Sequence, residues 1–309
     1  MNATERLTDI RPWIFSAAII AFFVGDMGSW VPDILVVVLM LQITASMIGI
    51  KLDPREMKND IRRIILCIIF CFGVNTGLTL AIAYVFPSDD FGLFCGWVMV
   101  AAVPCAVSVI TVALTMFGNR VMSVLGLMGI YFVSLAITPA ITSALIGDAV
   151  PTLEIFKYIV LFVVVPLIAI IPLNRMNIGK TPRAVFINVM MFILIVLSIG
   201  RNSDFILSSL DIMGWILLFA VVRTFVLSGL LVPALKKYGF PRGDAIVYNA
   251  MAVWKNTGLA TSMCLILIPD MPQAAVPCAV CLLVESLWYA VANGMINKYW
   301  PPEIARSAR

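Results

Sequence analysis

Long apolar runs alternate with short polar connectors along the whole chain. Ten runs stand at about 13–30, 33–50, 62–86, 93–117, 121–146, 155–173, 184–200, 211–235, 245–268 and 274–297. Each approaches the roughly 20 apolar residues that a helix needs to cross a hydrocarbon core. The connectors carry turn residues, among them Pro87-Ser88-Asp89-Asp90, Gly118-Asn119 and Pro269-Asp270-Met271-Pro272. The pattern predicts an all-α membrane protein of ten transmembrane helices. One transmembrane domain occupies 1–309, with no room for a soluble one.

Composition agrees. Hydrophobic residues make up 62% of the chain and charged residues 12%, where a soluble domain carries about a quarter charged. Mean hydropathy is +1.04. Acidic and basic residues mix in 1–11 and no small-residue cleavage site follows, so the first run is read as a permanent span. The seven cysteines lie in or beside apolar runs, which argues against a disulfide framework. With no histidine, histidine-based metal sites and proton relays drop out. No metal or cofactor is expected. A G-x-x-x-x-G-K-[ST] pattern is also missing, which disfavours an ATPase or other enzyme.

Basic residues set the orientation. Seventeen of the 21 Lys and Arg residues fall at the termini and in alternate connectors; the opposite connectors hold only Lys157 and Arg201. By the positive-inside rule both termini are cytoplasmic in a cell membrane. The net charge of +4 therefore reports topology and implies no nucleic-acid partner; the partner is the lipid bilayer.

Five runs precede the connector near 147–151 and five follow it, so the halves, about 10–147 and 151–297, are inverted repeats. The fourth run of each half is interrupted. One carries Pro104-Cys105-Ala106 and the other Lys255-Asn256-Thr257-Gly258. Proline removes a backbone donor, and a Lys-Asn-Thr-Gly run is poor helix and costly in lipid. Interrupted helices at matching positions of inverted halves point to a transporter's substrate site. Their half-helix N-termini favour an anion. Expected lining from the first half is Pro104, Cys105, Ser108 and Thr111, the last two sharing a helix face. From the second half it is Asn249, Lys255, Asn256 and Thr257, with Asn249 and Asn256 sharing a face seven residues apart. Asn75 and Asn188 are secondary candidates, more readily explained by hydrogen bonding between spans.

Arg223, Lys255 and Glu285 lie deep within runs, and Asp26 near the end of the first. A charge at a helix centre costs about 2.5–3.5 kcal/mol on insertion scales, so these side chains face the bundle interior. An Arg223–Glu285 pair is expected. Lys255 is then left for a substrate anion, for Asp26 or for deprotonation; a static bridge from Lys255 to Glu285 is the alternative.

Several segments together resemble the bile acid:sodium symporter family over roughly 10–297. They are Met47-Ile48-Gly49-Ile50-Lys51-Leu52-Asp53-Pro54 before a basic stretch, Pro104 followed by Gly118-Asn119, Thr138-Pro139, and Lys255-Asn256-Thr257-Gly258-Leu259-Ala260. The resemblance implies a ten-helix, inverted-repeat secondary transporter with a panel domain and a core domain. Spans four and nine would cross in the core, and organic anions would be carried with sodium. The family's sodium-ligand positions depart from its pattern. They fall on Val109 and Ile110 in span four, Leu127 in span five, Met251 and Lys255 in span nine, and Cys71 in span three; Ser123 keeps a hydroxyl. Sodium wants oxygen ligands, so these residues put sodium coupling in question and make a proton, or no coupling ion, the alternative. Pro104-Cys105-Ala106 is also similar to the Pro-Cys motif of arsenite efflux permeases, whose span-nine acid falls here on Gly258; auxin-efflux-type carriers share the same plan. The reading is a secondary transporter for a small organic anion. Arsenite or auxin-type efflux, or a receptor or sensor on the same scaffold, are the alternatives.

Overall fold

The computed structural model describes residues 7–25, 27–49, 60–86, 89–147, 149–150, 152–176 and 178–302. Asp26, Ser88 and most of the Met47–Pro54 motif lie outside them. Among the described residues the fold is all-helical. Its helices are α1 (Ile10–Val24), α2 (Val31–Met47), α3 (Ile61–Val85), α4 (Phe91–Ala102), α5 (Val109–Thr115) and α6 (Arg120–Ile146). There follow α7 (Thr152–Leu173), α8 (Lys180–Gly200), the short α9 (Ser203–Ser208), α10 (Leu210–Lys237), α11 (Arg242–Val253), α12 (Thr257–Leu267) and α13 (Ala275–Tyr299).

Among the described residues six helices are long and apolar enough to cross a membrane, and four shorter ones are apolar as well. The surface is inverted relative to a soluble protein. Phe23, Phe132 and Leu230 are exposed, whereas Arg223, Lys255 and Glu285 are fully buried. That is the arrangement lipid imposes.

The first helix ends earlier than the apolar run implies. Gly25 and Gly28 both take positive φ, 65° and 100°, a backbone that glycine alone adopts without cost. The chain therefore turns at residue 25 and not near 30.

Two layers pack together. One joins α1, α2, α7 and α8; the other holds α3 to α6 and α10 to α13. They meet where α6 lies beside α7, α12 on α2 and α7, and α13 on α1 and α8. Small residues allow close approach inside the second layer, as is usual between membrane helices. A Cβ on Gly126 would come 2.5 Å from Cys67 Sγ, and one on Gly129 would come 2.4 Å from Ile64 Cγ2. Both would push α6 away from α3.

Two helices loosen into π geometry, α3 over Ile69–Asn75 and α10 over Val222–Val226. Such widenings often mark functional positions. Here they carry Cys71 and Asn75 in one helix and Arg223 and Thr224 in the other, all buried.

Candidate functional site

Local chemistry ends each broken helix. Pro104 brings no N–H and biases the residue before it to extended backbone; Val103 accordingly takes φ −68° and ψ 153° and stops α4. In the second break Trp254 is extended at φ −119° and ψ 100°. Asn256 then caps α12, its Oδ1 accepting from Leu259 N at 3.2 Å. Trp254 is held edge-on against Trp288 and tilted against Tyr289.

The two extended stretches cross as an antiparallel bridge centred on Cys105 and Lys255. Ala106 N donates to Trp254 O at 3.1 Å, and Asn256 N donates to Pro104 O at 2.8 Å. The expected neighbourhood of Lys255, Asn256 and the Pro104 break is thus direct hydrogen-bond contact.

Lys255 is fully buried. Its Nζ donates to Val103 O at 2.8 Å, Thr76 Oγ1 at 2.9 Å and Ala101 O at 3.0 Å, and lies 4.6 Å from the centre of the Phe72 ring. Two of the three oxygens are carbonyls at the C-terminal end of α4, where the helix dipole concentrates about −0.5 charge. Thr76 Oγ1 donates to Ala101 O at 2.6 Å and Thr138 Oγ1 to Ala102 O at 2.7 Å. Every carbonyl from Ala101 to Pro104 therefore has a donor.

The C-terminal end of α11 is finished differently. Asn75 Nδ2 donates to Ala252 O, while Asn75 Oδ1 accepts from Arg223 Nη2 at 3.4 Å. Arg223 Nη1 pairs with Glu285 Oε1 at 2.7 Å, both side chains fully buried. Glu285 also accepts from Lys255 N at 3.1 Å and from Thr257 Oγ1 at 2.9 Å. The expected Arg223–Glu285 pair is present. The expected alternative, a static bridge from Lys255 to Glu285, is corrected: the carboxylate meets Lys255 through its backbone N–H, and the ammonium is bonded to oxygens of α3 and α4.

A cavity of about 30 Å³ opens on the other side of the crossing, between the two layers. Leu39, Gln42, Ile43 and Ser46 of α2 and Met191 and Leu194 of α8 form one wall. Ala106 to Ser108 and Trp254 to Gly258 form the other, with Leu282 of α13. Of the expected lining residues, Ser108, Asn256 and Thr257 are there. Lys255 contributes to the wall, but none of the groups bonded to its ammonium lines the cavity.

The others lie elsewhere. Pro104 and Cys105 are buried in the crossing itself, with Cys105 against the Cys71 thiol of α3. Thr111 is exposed on α5 and away from the cavity, although Ser108 caps the same helix three residues earlier. Asn249 is buried on α11 and donates to Ser228 Oγ of α10 at 3.0 Å. It shares no face with Asn256, since the extended break separates their helices. Asn188 donates to Leu7 O at 3.1 Å, a contact from α8 to the segment that precedes α1. The positions corresponding to sodium ligands, Val109, Ile110, Leu127, Met251 and Cys71, are buried, and their side chains offer no oxygen. Ser123 Oγ donates to Arg120 O at 2.7 Å.

Sequence reasoning missed Thr76 and Gln42, and named Thr138 only within the Thr138-Pro139 segment of the resemblance, with no role in the site. For Thr76 the available signal was its adjacency to Asn75 in the middle of an apolar run. Comparison with curated proteins returns no match. Comparison with family models does, over residues 14–300, so that nearly the whole length shown to carry the crossed breaks is accounted for: the chain belongs to the SBF-like CPA transporter family.

Proposed function

We propose that the protein is a secondary transporter for a small organic anion that works without sodium, the Lys255 ammonium standing where a coupling cation would bind. The oxygen cage around Lys255 Nζ, two carbonyls and a hydroxyl, carries this reading. It is the kind of donor set a hard cation takes. The apolar residues at the sodium-ligand positions support it further.

Charge supports the anion. Arg223 and Glu285 neutralise each other, so among the described residues Lys255 leaves one buried positive charge in the layer. An anion entering the cavity, at the N-terminus of α12, would offset it. Loss of the lysine proton would offset it equally, which makes a proton the natural coupling ion.

We also read the whole chain as ten spans in two inverted repeats, in a cell membrane with both termini cytoplasmic. A shift of about 150 residues supports the repeat: it lays Cys105 on Lys255 and brings the π-segment of α3 close to that of α10. Arsenite efflux is disfavoured because Cys105 does not line the cavity and Gly258 brings no acid. No separate observation favours auxin-type efflux or a receptor role.

The test is electrogenic or isotopic uptake of short carboxylates into proteoliposomes, with sodium replaced by choline. Unchanged transport is expected. A steep, saturable sodium requirement would overturn the reading. If a proton gradient drives uptake and Lys255→Gln removes that drive, the lysine is the proton carrier.

A further inference from the structure

We propose that Gln42 of α2 is the specificity-determining residue of the cavity, reading the carboxylate of a small aliphatic acid from the wall opposite the helix breaks. The proposal rests on the anion reading above and adds the second layer's part in recognition. The wall formed by α2 and α8 is apolar at Leu39, Ile43, Met191 and Leu194; Gln42 places a carboxamide among them. Gln42 is 7% exposed. Its Nε2 has one partner, the Met191 thioether at 3.7 Å, and its Oε1 takes no hydrogen bond among the described residues. Thioether sulfur is a weak acceptor. A buried amide left with such a partner is unusual, because buried polar groups normally find full-strength ones. It is an amide held ready for a better acceptor.

Across the cavity stands the first turn of α12, where Asn256 takes up Leu259 N. The N–H groups of Thr257 and Gly258 precede it at a helix terminus and have no intrahelical acceptor. Gly258 keeps that surface open. A Cβ there would lie 3.5 Å from Leu39 Cδ1 and 3.8 Å from Leu194 Cδ1, so it would fill the gap between the layers. A carboxylate has two oxygens and accepts on both. One rests on the α12 N–H groups, and the other accepts from Gln42 Nε2, displacing Met191. The surrounding Leu, Ile and Met side chains then take an aliphatic body. A substrate bound this way ties the two layers together, so recognition requires both walls.

Binding of butyrate, butyramide and butylammonium to the purified full-length protein tests this, read by thermal shift and calorimetry. Wild type should bind butyrate best. Gln42→Leu, an apolar change within an apolar wall, should weaken butyrate about tenfold, the loss expected for one charge-assisted hydrogen bond. Gln42→Glu should abolish butyrate binding, because it sets carboxylate against carboxylate. Equal butyrate binding by wild type and both variants would remove Gln42 from recognition and leave the anion reading standing. Preference of wild type for butyramide or butylammonium would overturn the anion reading itself. No binding of any of the three would rule out the substrate class.

Discussion

At the first break, α4 ends in carbonyls that meet the Lys255 ammonium; at the second, α11 ends in a carbonyl that meets the Asn75 carboxamide. Both ends point their dipoles at the same crossing, and both need a donor. The first receives a whole charge. The second receives a neutral amide, backed by an Arg223 whose charge Glu285 already cancels. The difference separates architecture from function. An amide suffices to finish a helix end, so a lysine at the other end, carried at the cost of burying a charge, calls for a further role. Three experiments probe that contrast.

The largest effect should come from the second break. Glu285→Ala strands a fully buried guanidinium and frees Lys255 N and Thr257 Oγ1 at once. Breaking a buried pair by removing one partner costs about 3–5 kcal/mol, so thermal unfolding in detergent should show a collapse in stability. Glu285→Gln keeps an acceptor for Lys255 N and should lose less. Replacing the pair together, Arg223→Met with Glu285→Leu, should recover part of the loss. Failure of that double variant to recover anything would mean that Glu285 matters through the Lys255 and Thr257 bonds more than through its charge.

Lys255→Met should split stability from transport. It leaves Val103 O without its ammonium donor, worth about 1–3 kcal/mol, but it also removes a buried charge, and the two effects oppose each other. Stability should therefore change little. Transport should fall at least about tenfold, the equivalent of one charged hydrogen bond. Asn75→Leu should do the reverse: about 1–3 kcal/mol of stability lost through the unpaired Ala252 O alone, with a further loss through Arg223 Nη2, and the ion dependence of transport unchanged. Were the two variants to behave alike, the charge at the first break would have no role beyond capping.

These contrasts were partly legible in the sequence. The breaks announced themselves, because Pro104 and the Lys-Asn-Thr-Gly run violate what a lipid-spanning helix tolerates. The Arg223–Glu285 pair followed from the cost of burying charge. The oxygen cage did not: a threonine in an apolar helix ordinarily bonds its own preceding turn, as Thr142 and Thr261 do here, so nothing in the chain marks Thr76 and Thr138 as reaching α4. Gln42 was hidden for a different reason. Single polar residues are common in spans, and only the packing of α2 against α12 shows that this one faces a cavity. Asn249 was misplaced by counting helical spacing through a break where the helix stops; Thr111 lies one helical turn from Ser108 and still faces away from the cavity.

The smallest effect is the most discriminating. Thr76 and Thr138 both donate to the end of α4, to Ala101 O and Ala102 O, but only Thr76 also accepts from Lys255 Nζ. Valine is close in shape to threonine and lacks the hydroxyl. Thr138→Val should therefore cost about 1 kcal/mol in thermal unfolding, the net worth of one neutral hydrogen bond, and leave the response of transport to sodium and pH as it was. Thr76→Val should cost more, because one hydroxyl serves two partners, and it should shift the pH dependence of transport by loosening the ammonium. Since the two threonines cap neighbouring carbonyls of one helix end, a pH shift that appears in both variants would trace to the carbonyls themselves. A shift confined to Thr76→Val traces to the ammonium, and with it the difference between the two breaks.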